Sequence, residues 1–482
     1  MRDSITFLLG DTPRTLRGVD PTMTVLQYLR GPERRHGTKE GCAEGDCGAC
    51  TVVLGKPEGG GIAYQPVNAC ILFLHALDGR QLLTVEDLHA HGAPLHPAQQ
   101  AMVDCHASQC GFCTPGFVMS LFALSHEAPD RADISTALAG NLCRCTGYLP
   151  IVAAAKAVRA QPVADRFALG AAEMAQRLTT MRDESPMALE GAGTRLFSPT
   201  DADDLVRLLA AHPDATILAG GTDVGIWVAK QHRRLPVVIS LEAVEGLDTI
   251  ETRENHIEIG ARVTHETLLP VLAGPYPAFA AMLRRFGSKQ VRMRGTLCGN
   301  VANGSPIGDA PPALIALGAK VRLRGEGGVR AMPVEDFFLG YRQTALALGE
   351  FVARVDIPLP RVGEHFHIWK ISKRFQQDIS AVCAAFRLTL DGMRITDARI
   401  GFGGVAAIPF RARATEAALI GETWNEATLS RARETLAREL TPISDMRASA
   451  EYRRVVARNL LTKLHVETWS PGTTPMLAEA AA

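Results

Sequence analysis

The sequence has no excess of charge of either sign: 51 Lys and Arg stand against 51 Asp and Glu. That excludes bulk attraction to nucleic acid or to an anionic membrane surface as a driving force. No apolar run reaches the ~18 residues of a membrane-spanning helix. The start, MRDSITFLLGD, lacks the long apolar core of a signal peptide, because Asp11 ends its apolar run early. A cytoplasmic protein with neither nucleic acid nor membrane as partner is the expectation. No internal repeat stands out. Cysteine is scarce after residue 145, where only Cys298 and Cys383 of the 11 cysteines occur. In a reducing compartment, cysteines crowded into one third of a chain point to metal or catalysis rather than disulfides. The 482 residues leave room for two to four domains, and 46% hydrophobic and 21% charged residues are ordinary for globular protein.

Those N-terminal cysteines form two quartets. Cys42, Cys47 and Cys50 are spaced C-x4-C-x2-C, with Cys70 further on. This is the plant-type ferredoxin spacing for a [2Fe-2S] cluster. Gly41, Gly45 and Gly48 would supply positive φ and close backbone approach to the sulfurs. SITFLLGD before the loop and TVVLG after it read as strands. Four thiolates also suit structural zinc, although zinc sites usually show two short C-x2-C hooks. The second quartet is Cys110-x2-Cys113 and Cys143-x-Cys145. Thr114-Pro115 reads as a helix start and Asp133 as the cap of another helix, so helix termini would flank this site. For this quartet taken alone, zinc stays open. Cys105, Cys298 and Cys383 fit neither quartet and read as buried structural thiols.

The strings GTKEGCAEGDCGACTVVL, HPAQQAMVDCHASQCGFCTPGFVMSLFAL and GNLCRCTGY resemble the iron–sulfur segment of the xanthine dehydrogenase family of molybdenum hydroxylases. The resemblance implies a ferredoxin-like β domain with one [2Fe-2S] cluster and a four-helix bundle holding a second, nearer the molybdopterin. By the same resemblance Gln109 would hydrogen-bond the pterin and Cys145 would face it. One departure is Leu149, in GYLP where the family usually has GYRP.

Further on, RAQPVADRFALGAAEMAQRLTTMRDESPMALEGAG reads as a linker with one helix. SPTDADDLVRLLAAHP follows as a helix with Thr200 as N-cap and Leu205, Leu208 and Leu209 on one face. ATILAGGTDVGIWVAK runs a strand into Gly220, Gly221 and Gly225, a turn whose backbone N–H groups would suit a pyrophosphate. It is not the G-x-G-x-x-G fingerprint, which excludes a Rossmann reading there. FGSKQVRMRGTLCGNVANGSPIGDAPPALIALGA carries hydroxyls, amides and glycines ahead of an apolar helix. These two stretches resemble the FAD-binding segments of the family's flavin domain, which has the vanillyl-alcohol-oxidase type of fold. The resemblance implies that Leu218, Ala219, Gly220, Gly221, Thr222, Asp223 and Val224 hold the pyrophosphate. It implies that Thr296, Gly299, Asn300, Asn303 and Asp309 line the rest of FAD, with Phe286 beside the flavin ring. IWKISKRFQQDIS resembles a segment reaching the flavin edge, from which Lys370 is carried over; Gln376 and Gln377 stand where many members have acids. Strands and charged helices follow to about residue 466, the charge runs reading as solvated helix faces.

The expected architecture is a multidomain α+β chain. Its parts are a ferredoxin-like domain (1–84), a four-helix [2Fe-2S] bundle (85–160), a linker (161–191), an FAD domain (192–360), a C-terminal α+β domain (361–468) and a disordered tail (469–482). The resemblance implies the small subunit of a bacterial member, which holds both clusters and FAD. A separate molybdopterin-binding large subunit would oxidise hypoxanthine and xanthine to urate, in a dimer of heterodimers. Electrons would pass from the Cys110 quartet to the Cys42 quartet, then FAD, then NAD+. No catalytic residue for purine hydroxylation would lie in this chain. Two alternatives are the same relay serving an aldehyde or N-heterocycle hydroxylase, and an autonomous NADH-dependent iron–sulfur flavoprotein.

Overall fold

A computed structural model of the chain describes residues 1–89, 92–128, 133–161 and 164–472. The expectation for the tail past 472 therefore lies outside the described residues. The chain divides into two compact units, Met1–Glu245 with Gly287–Gly295, and Gly246–Phe286 with Thr296–Ala482.

In the first unit the N-terminal sheet has five strands in the order Thr12–Arg17, Ser4–Leu9, Gln81–Leu83, Thr51–Glu58, Gly61–Asn68. Ser4–Leu9 and Gln81–Leu83 run parallel; the other pairs are antiparallel. Ile5, Phe7, Val52 and Leu54 pack with Leu26 and Leu29 of helix Val25–Arg30 into one core. Thr24 starts that helix with a capping box to Gln27. The first cysteine loop therefore connects a helix to a strand; the strand before it in sequence is followed by Thr12–Arg17 and this helix.

Four helices follow: Pro97–Asp104, Thr114–Ser125, Ile134–Leu138 and Leu149–Arg159. Three of them carry Pro in the first turn, where a missing N–H costs nothing. Asp133 caps Ile134–Leu138 as expected, accepting from the N–H groups of Ser135 and Thr136. Phe117, Leu121, Phe122, Ile151 and Ala155 close the bundle core. The segment read as a linker is folded. Asp165 caps helix Arg166–Leu169, helix Ala171–Met181 buries Ala175 and Leu178, and Met187–Gly191 is a strand. Asp165 also accepts from His96 Nε2 at 2.7 Å and lies 3.3 Å from His126 Nε2, tying the segment to the helical bundle.

A four-stranded sheet completes this unit, in the order Met187–Gly191, Thr194–Ser198, Val237–Ser240, Thr216–Leu218. Helix Ala202–Ala211 is capped by Asp201 rather than by Thr200. The Asp201 carboxylate reaches two backbone N–H groups, while the Thr200 carbonyl accepts from Glu245 N–H.

The second unit has a five-stranded antiparallel sheet ordered Ile250–Thr252, His256–Gly260, Phe351–Pro358, Lys320–Gly325, Gly328–Pro333. A four-stranded sheet, Glu364–Ile371, Val382–Asp391, Arg394–Gly403, Phe410–Arg411, carries helices Glu426–Glu439 and Ala450–Trp469 over a core containing Phe386, Phe402, Trp424 and Leu461. Helix Ala310–Leu317 is buried on all sides; a Cβ at Gly401 would sit 2.2 Å from the Pro312 carbonyl, so only glycine admits it so close. The charge runs are not all solvated faces. Arg453 is buried, donating to the carbonyls of Ala381 and Gly404 and to both oxygens of Asp445. Among the described residues no helix is long and apolar enough to cross a membrane.

Candidate functional site

Cys50 and Cys70 are buried and Cys42 and Cys47 half-buried, all four unbridged. Their sulfurs converge. Hydrogen bonding with Cys47 and then Cys70 holds the Cys42 thiol well below its ordinary range, and pushes Cys47 and Cys70 above theirs. Cys50 adds to the upward push on Cys70. The N–H groups of Asp46 and Cys47 each point at Cys42 Sγ from 3.3 Å, as donors to a thiolate do. Gly45 and Gly48 adopt φ of 76° and 68°. Gly41 does not take the expected positive φ; it is needed because a Cβ there would come within 2.7 Å of Cys47 Sγ. The extra left-handed residue is Ala43, at 55°.

In the second quartet Cys110 and Cys145 are exposed and Cys113 and Cys143 half-buried. The Phe112 N–H, and then Cys145, hold the Cys110 thiol below its ordinary range. Burial, and then contact with Cys143, pushes Cys113 up to about 12. Cys143 Sγ receives the Thr146 N–H at 3.4 Å and the Thr146 hydroxyl at 3.1 Å. Tyr148, at φ 71°, accepts the Cys143 N–H on its hydroxyl at 2.9 Å. Cys113 is the residue before helix Thr114–Ser125, so that helix begins at the quartet. Gln109 is exposed beside Cys110, as are Phe112 and Tyr148; Leu149 is 79% exposed. Two sets of four unbridged thiols, each with N–H donors aimed at sulfur, suit iron–sulfur clusters.

The glycine turn lies in the first unit, between strand Thr216–Leu218 and the short helix Val224–Ala229. A Cβ at Gly220 would meet the Arg294 carbonyl at 1.9 Å, and Gly221 has φ 77°. Among the described residues the backbone N–H groups of Gly220, Gly221 and Thr222 find no acceptor, which fits an anionic ligand. Leu218 and Val224 are buried, Ala219 half-buried and Asp223 exposed.

The other residues that the resemblance implies for FAD lie in the second unit. Thr296 is occupied as a helix cap, accepting from Gly299 N–H at 3.0 Å. Asn300 Oδ1 is buried and without a partner among the described residues, a vacancy for a donor that suits a cofactor hydroxyl or ring N–H. Asn303 and Phe286 are half-buried; the Phe286 ring centroid lies 4.4 Å from that of His265. Asp309 is not a free carboxylate: it pairs with buried Lys370 and accepts from the Ser380 hydroxyl at 2.5 Å. Lys370 therefore spends its charge on Asp309, a partnership absent from the sequence reading.

Cys298 and Cys383 are buried against the carbonyls of Ile259 and Asp309, as structural thiols; Cys105 is half-buried. His256, Glu258 and Asp356 also converge closely enough for a metal. The Arg322 guanidinium already bridges Glu258 at 2.8 Å and Asp356 at 2.6 Å, making this an ion-pair network. The sequence reading missed Asn141, Tyr148 and Gln290. All three lie within the quoted motif stretches, but nothing local tells them from their neighbours.

Fold and site define an iron–sulfur flavoprotein. Four families match in succession: a 2Fe-2S iron-sulfur cluster binding domain (8–74), a [2Fe-2S] binding domain (84–156), the FAD binding domain in molybdopterin dehydrogenase (192–360) and the CO dehydrogenase flavoprotein C-terminal domain (367–468). Xanthine dehydrogenase 2 of Arabidopsis thaliana is 33% identical over 480 residues, covering 84% of this chain and 35% of the relative. Xanthine dehydrogenase/oxidase of Gallus gallus is 29% identical over 544 residues, covering 96% and 40%. The chain thus spans 35% to 40% of the length of these relatives. Among solved structures, a Cu,Mo-CO dehydrogenase chain is 30% identical with a TM-score of 0.52, covering 56% of this chain and 94% of that one. A chain of quinoline 2-oxidoreductase from Pseudomonas putida 86 is 29% identical with a TM-score of 0.52, at the same coverage. The chain belongs to the molybdenum hydroxylase family, as its iron–sulfur and FAD-carrying part.

Proposed function

We propose that the chain is the small subunit of a bacterial xanthine dehydrogenase. It takes electrons from a molybdopterin-binding large subunit that oxidises hypoxanthine and xanthine to urate, and delivers them to NAD+. The observation that carries this reading is the graded exposure of the two quartets: one enclosed, the other open at the surface beside Gln109. When bound, the clusters each take one electron and FAD gathers two for hydride transfer.

The chain's own residues bind and orient. Cys42, Cys47, Cys50 and Cys70 hold the inner cluster; Cys110, Cys113, Cys143 and Cys145 hold the outer one. Gln109 meets the pterin of the large subunit, and Phe112, Tyr148 and Leu149 form apolar contact around it. Leu218–Val224 offer backbone N–H groups to the FAD pyrophosphate. Phe286, Thr296, Gly299, Asn300 and Asn303 line the remainder, while Asp309 and Lys370 hold each other in a charge-matched buried pair. The domain limits follow the sequence reading, with the segment 161–191 as a folded connection. The assembly is a cytoplasmic dimer of heterodimers.

Relatives called xanthine dehydrogenase favour the purine reading. The CO dehydrogenase and quinoline oxidoreductase chains favour a second one, the same relay serving another hydroxylase. The test is NADH absorbance from the complex drawn out of its host through this chain, with xanthine as sole donor. Xanthine-dependent NADH together with a molybdenum-containing partner is expected. A fully loaded molybdenum partner that ignores xanthine selects the second reading. Recovery with no molybdenum partner rejects both and leaves an autonomous NADH-dependent flavoprotein.

A further inference from the structure

The two cysteine loops meet through a backbone hydrogen bond. Leu142, next to Cys143, donates its N–H to the carbonyl of Cys47 at 2.9 Å. From Cys143 to Cys47 the route is otherwise covalent. A buried node of polar side chains surrounds this contact. Asn141 (2% exposed) donates to the Gly48 carbonyl at 3.1 Å and to Thr51 Oγ1 at 3.2 Å. Its Oδ1 accepts from Ser120 Oγ at 2.7 Å and from Gln290 Nε2 at 3.1 Å. Gln290 (1% exposed) also reaches Thr51 Oγ1 and Ser120 Oγ, each at 3.3 Å.

Space for the node depends on glycines. A Cβ at Gly48 would lie 2.1 Å from the Gly140 carbonyl, and one at Gly140 would lie 2.0 Å from Gln290 Oε1. Gln290 itself belongs to the segment Gly287–Gly295, which falls within the FAD-family match yet folds with the first unit. Ser288 caps its single helical turn Lys289–Arg292, and Lys289 pairs with Glu127 just past helix Thr114–Ser125.

Gln290 Oε1 is buried without a hydrogen-bond partner among the described residues. Turning the amide over would not help. It would aim the oxygen at Asn141 Oδ1, which can only accept, and the NH2 at Gly140. A buried acceptor left unfilled destabilises, and an apolar side chain of the same length would avoid that cost. The amide is held here by its donor side, on Asn141, Thr51 and Ser120, while its oxygen is left over.

We propose that Gln290 is a positioning residue for electron transfer between the two clusters. It orients Asn141, which holds the Gly48 carbonyl and so keeps Leu142 N–H on the Cys47 carbonyl. One electron would pass along this contact from the reduced cluster of the Cys110 quartet, which is thereby oxidised, to the oxidised cluster of the Cys42 quartet, which is thereby reduced, with no bond made or broken. The proposal rests on the two-cluster reading above.

The test uses the full chain carrying both clusters and FAD, reduced by single electrons from a flash-generated donor radical. Freeze-quench EPR then follows the electron redistributing between the two cluster signals. Gln290→Met keeps length and removes both donors. It is expected to leave both signals and both midpoint potentials in place while slowing redistribution several-fold. Ser120→Ala removes only one bond to Asn141, should slow redistribution less, and stands in if Gln290→Met does not fold. The double variant Lys289→Met/Glu127→Gln removes the neighbouring ion pair and should keep the unaltered rate. Redistribution at the unaltered rate in Gln290→Met and Ser120→Ala would overturn the proposal. Equal slowing in the double variant would also overturn it, by reducing the segment to an anchor. Absence of a second signal in the unaltered chain would instead contradict the two-cluster reading.

Discussion

Each quartet is built from four thiols, but by different means. The Cys42 quartet is wrapped by a loop whose backbone donates to sulfur and whose Gly45 and Gly48 take conformations that other residues rarely hold. Two of its cysteines are buried. The Cys110 quartet stands at the start of helix Thr114–Ser125 and in the loop between helices Ile134–Leu138 and Leu149–Arg159, with two cysteines exposed and exposed apolar side chains around it. Enclosure makes the first site dependent on the fold of its whole domain. Presentation makes the second dependent on few neighbours, and open to a partner.

The largest expected contrast comes from removing a ligand. Cys70→Ser should abolish the inner cluster signal and lower the yield of folded chain, because Cys70 sits in the domain core. Cys145→Ser should abolish only the outer signal and leave the unfolding midpoint of the metal-free chain unchanged. EPR and thermal melts of both variants check this. Equal loss of folded chain would break the comparison.

Next is a pair of glycines. Gly48 has φ 68° and no room for a Cβ, whereas Gly147 has φ 69° with nothing within 4 Å. Gly147→Ala should cost only the conformational penalty, about 1–2 kcal/mol. Gly48→Ala adds a collision with backbone and should cost about 3 kcal/mol or more. Denaturant titration of the two variants gives the difference directly.

The enclosed region should also carry a pH limit of its own. Burial pulls His75 from 6.5 down to about 4, with Arg294 and Arg80 acting in the same direction and Glu242 against it. The unfolded chain therefore binds a proton as pH falls below about 6.5, while the folded chain does not until about pH 4. Stability present above that window is lost as pH falls through it, by up to roughly 3 kcal/mol. His75→Gln should flatten the slope of stability against pH between those values.

The smallest effect on stability is expected at Leu149. It is exposed at the first turn of helix Leu149–Arg159, so Leu149→Arg should shift stability by no more than about 0.5 kcal/mol. Its effect should appear in affinity for the large subunit, measured by titration calorimetry.

What was legible in the sequence is what is local. Ligand spacing, Pro115 at a helix start and Asp133 as a cap depend on neighbours a few residues away. Thr200 was read as a cap in place of Asp201, whose carboxylate takes the N–H groups of Asp203 and Asp204; both neighbours are favoured cap types, so the error is one of one residue. The segment 161–191 looked like a linker because its helices bury few large side chains and its strand exists only through pairing with Thr194–Ser198. Lys289 and Gln290 were invisible as anchors, since Glu127 and Asn141 lie 162 and 149 residues away. Lys370 was identifiable as a position but not as the partner of Asp309.

The most direct measurement is an iron and zinc assay of the purified chain combined with a reductive EPR titration. Iron without zinc is expected, with two distinct [2Fe-2S] signals, the outer one lost first to a chelator. Zinc in either quartet, or a single signal, would contradict the assignment of two clusters to this chain.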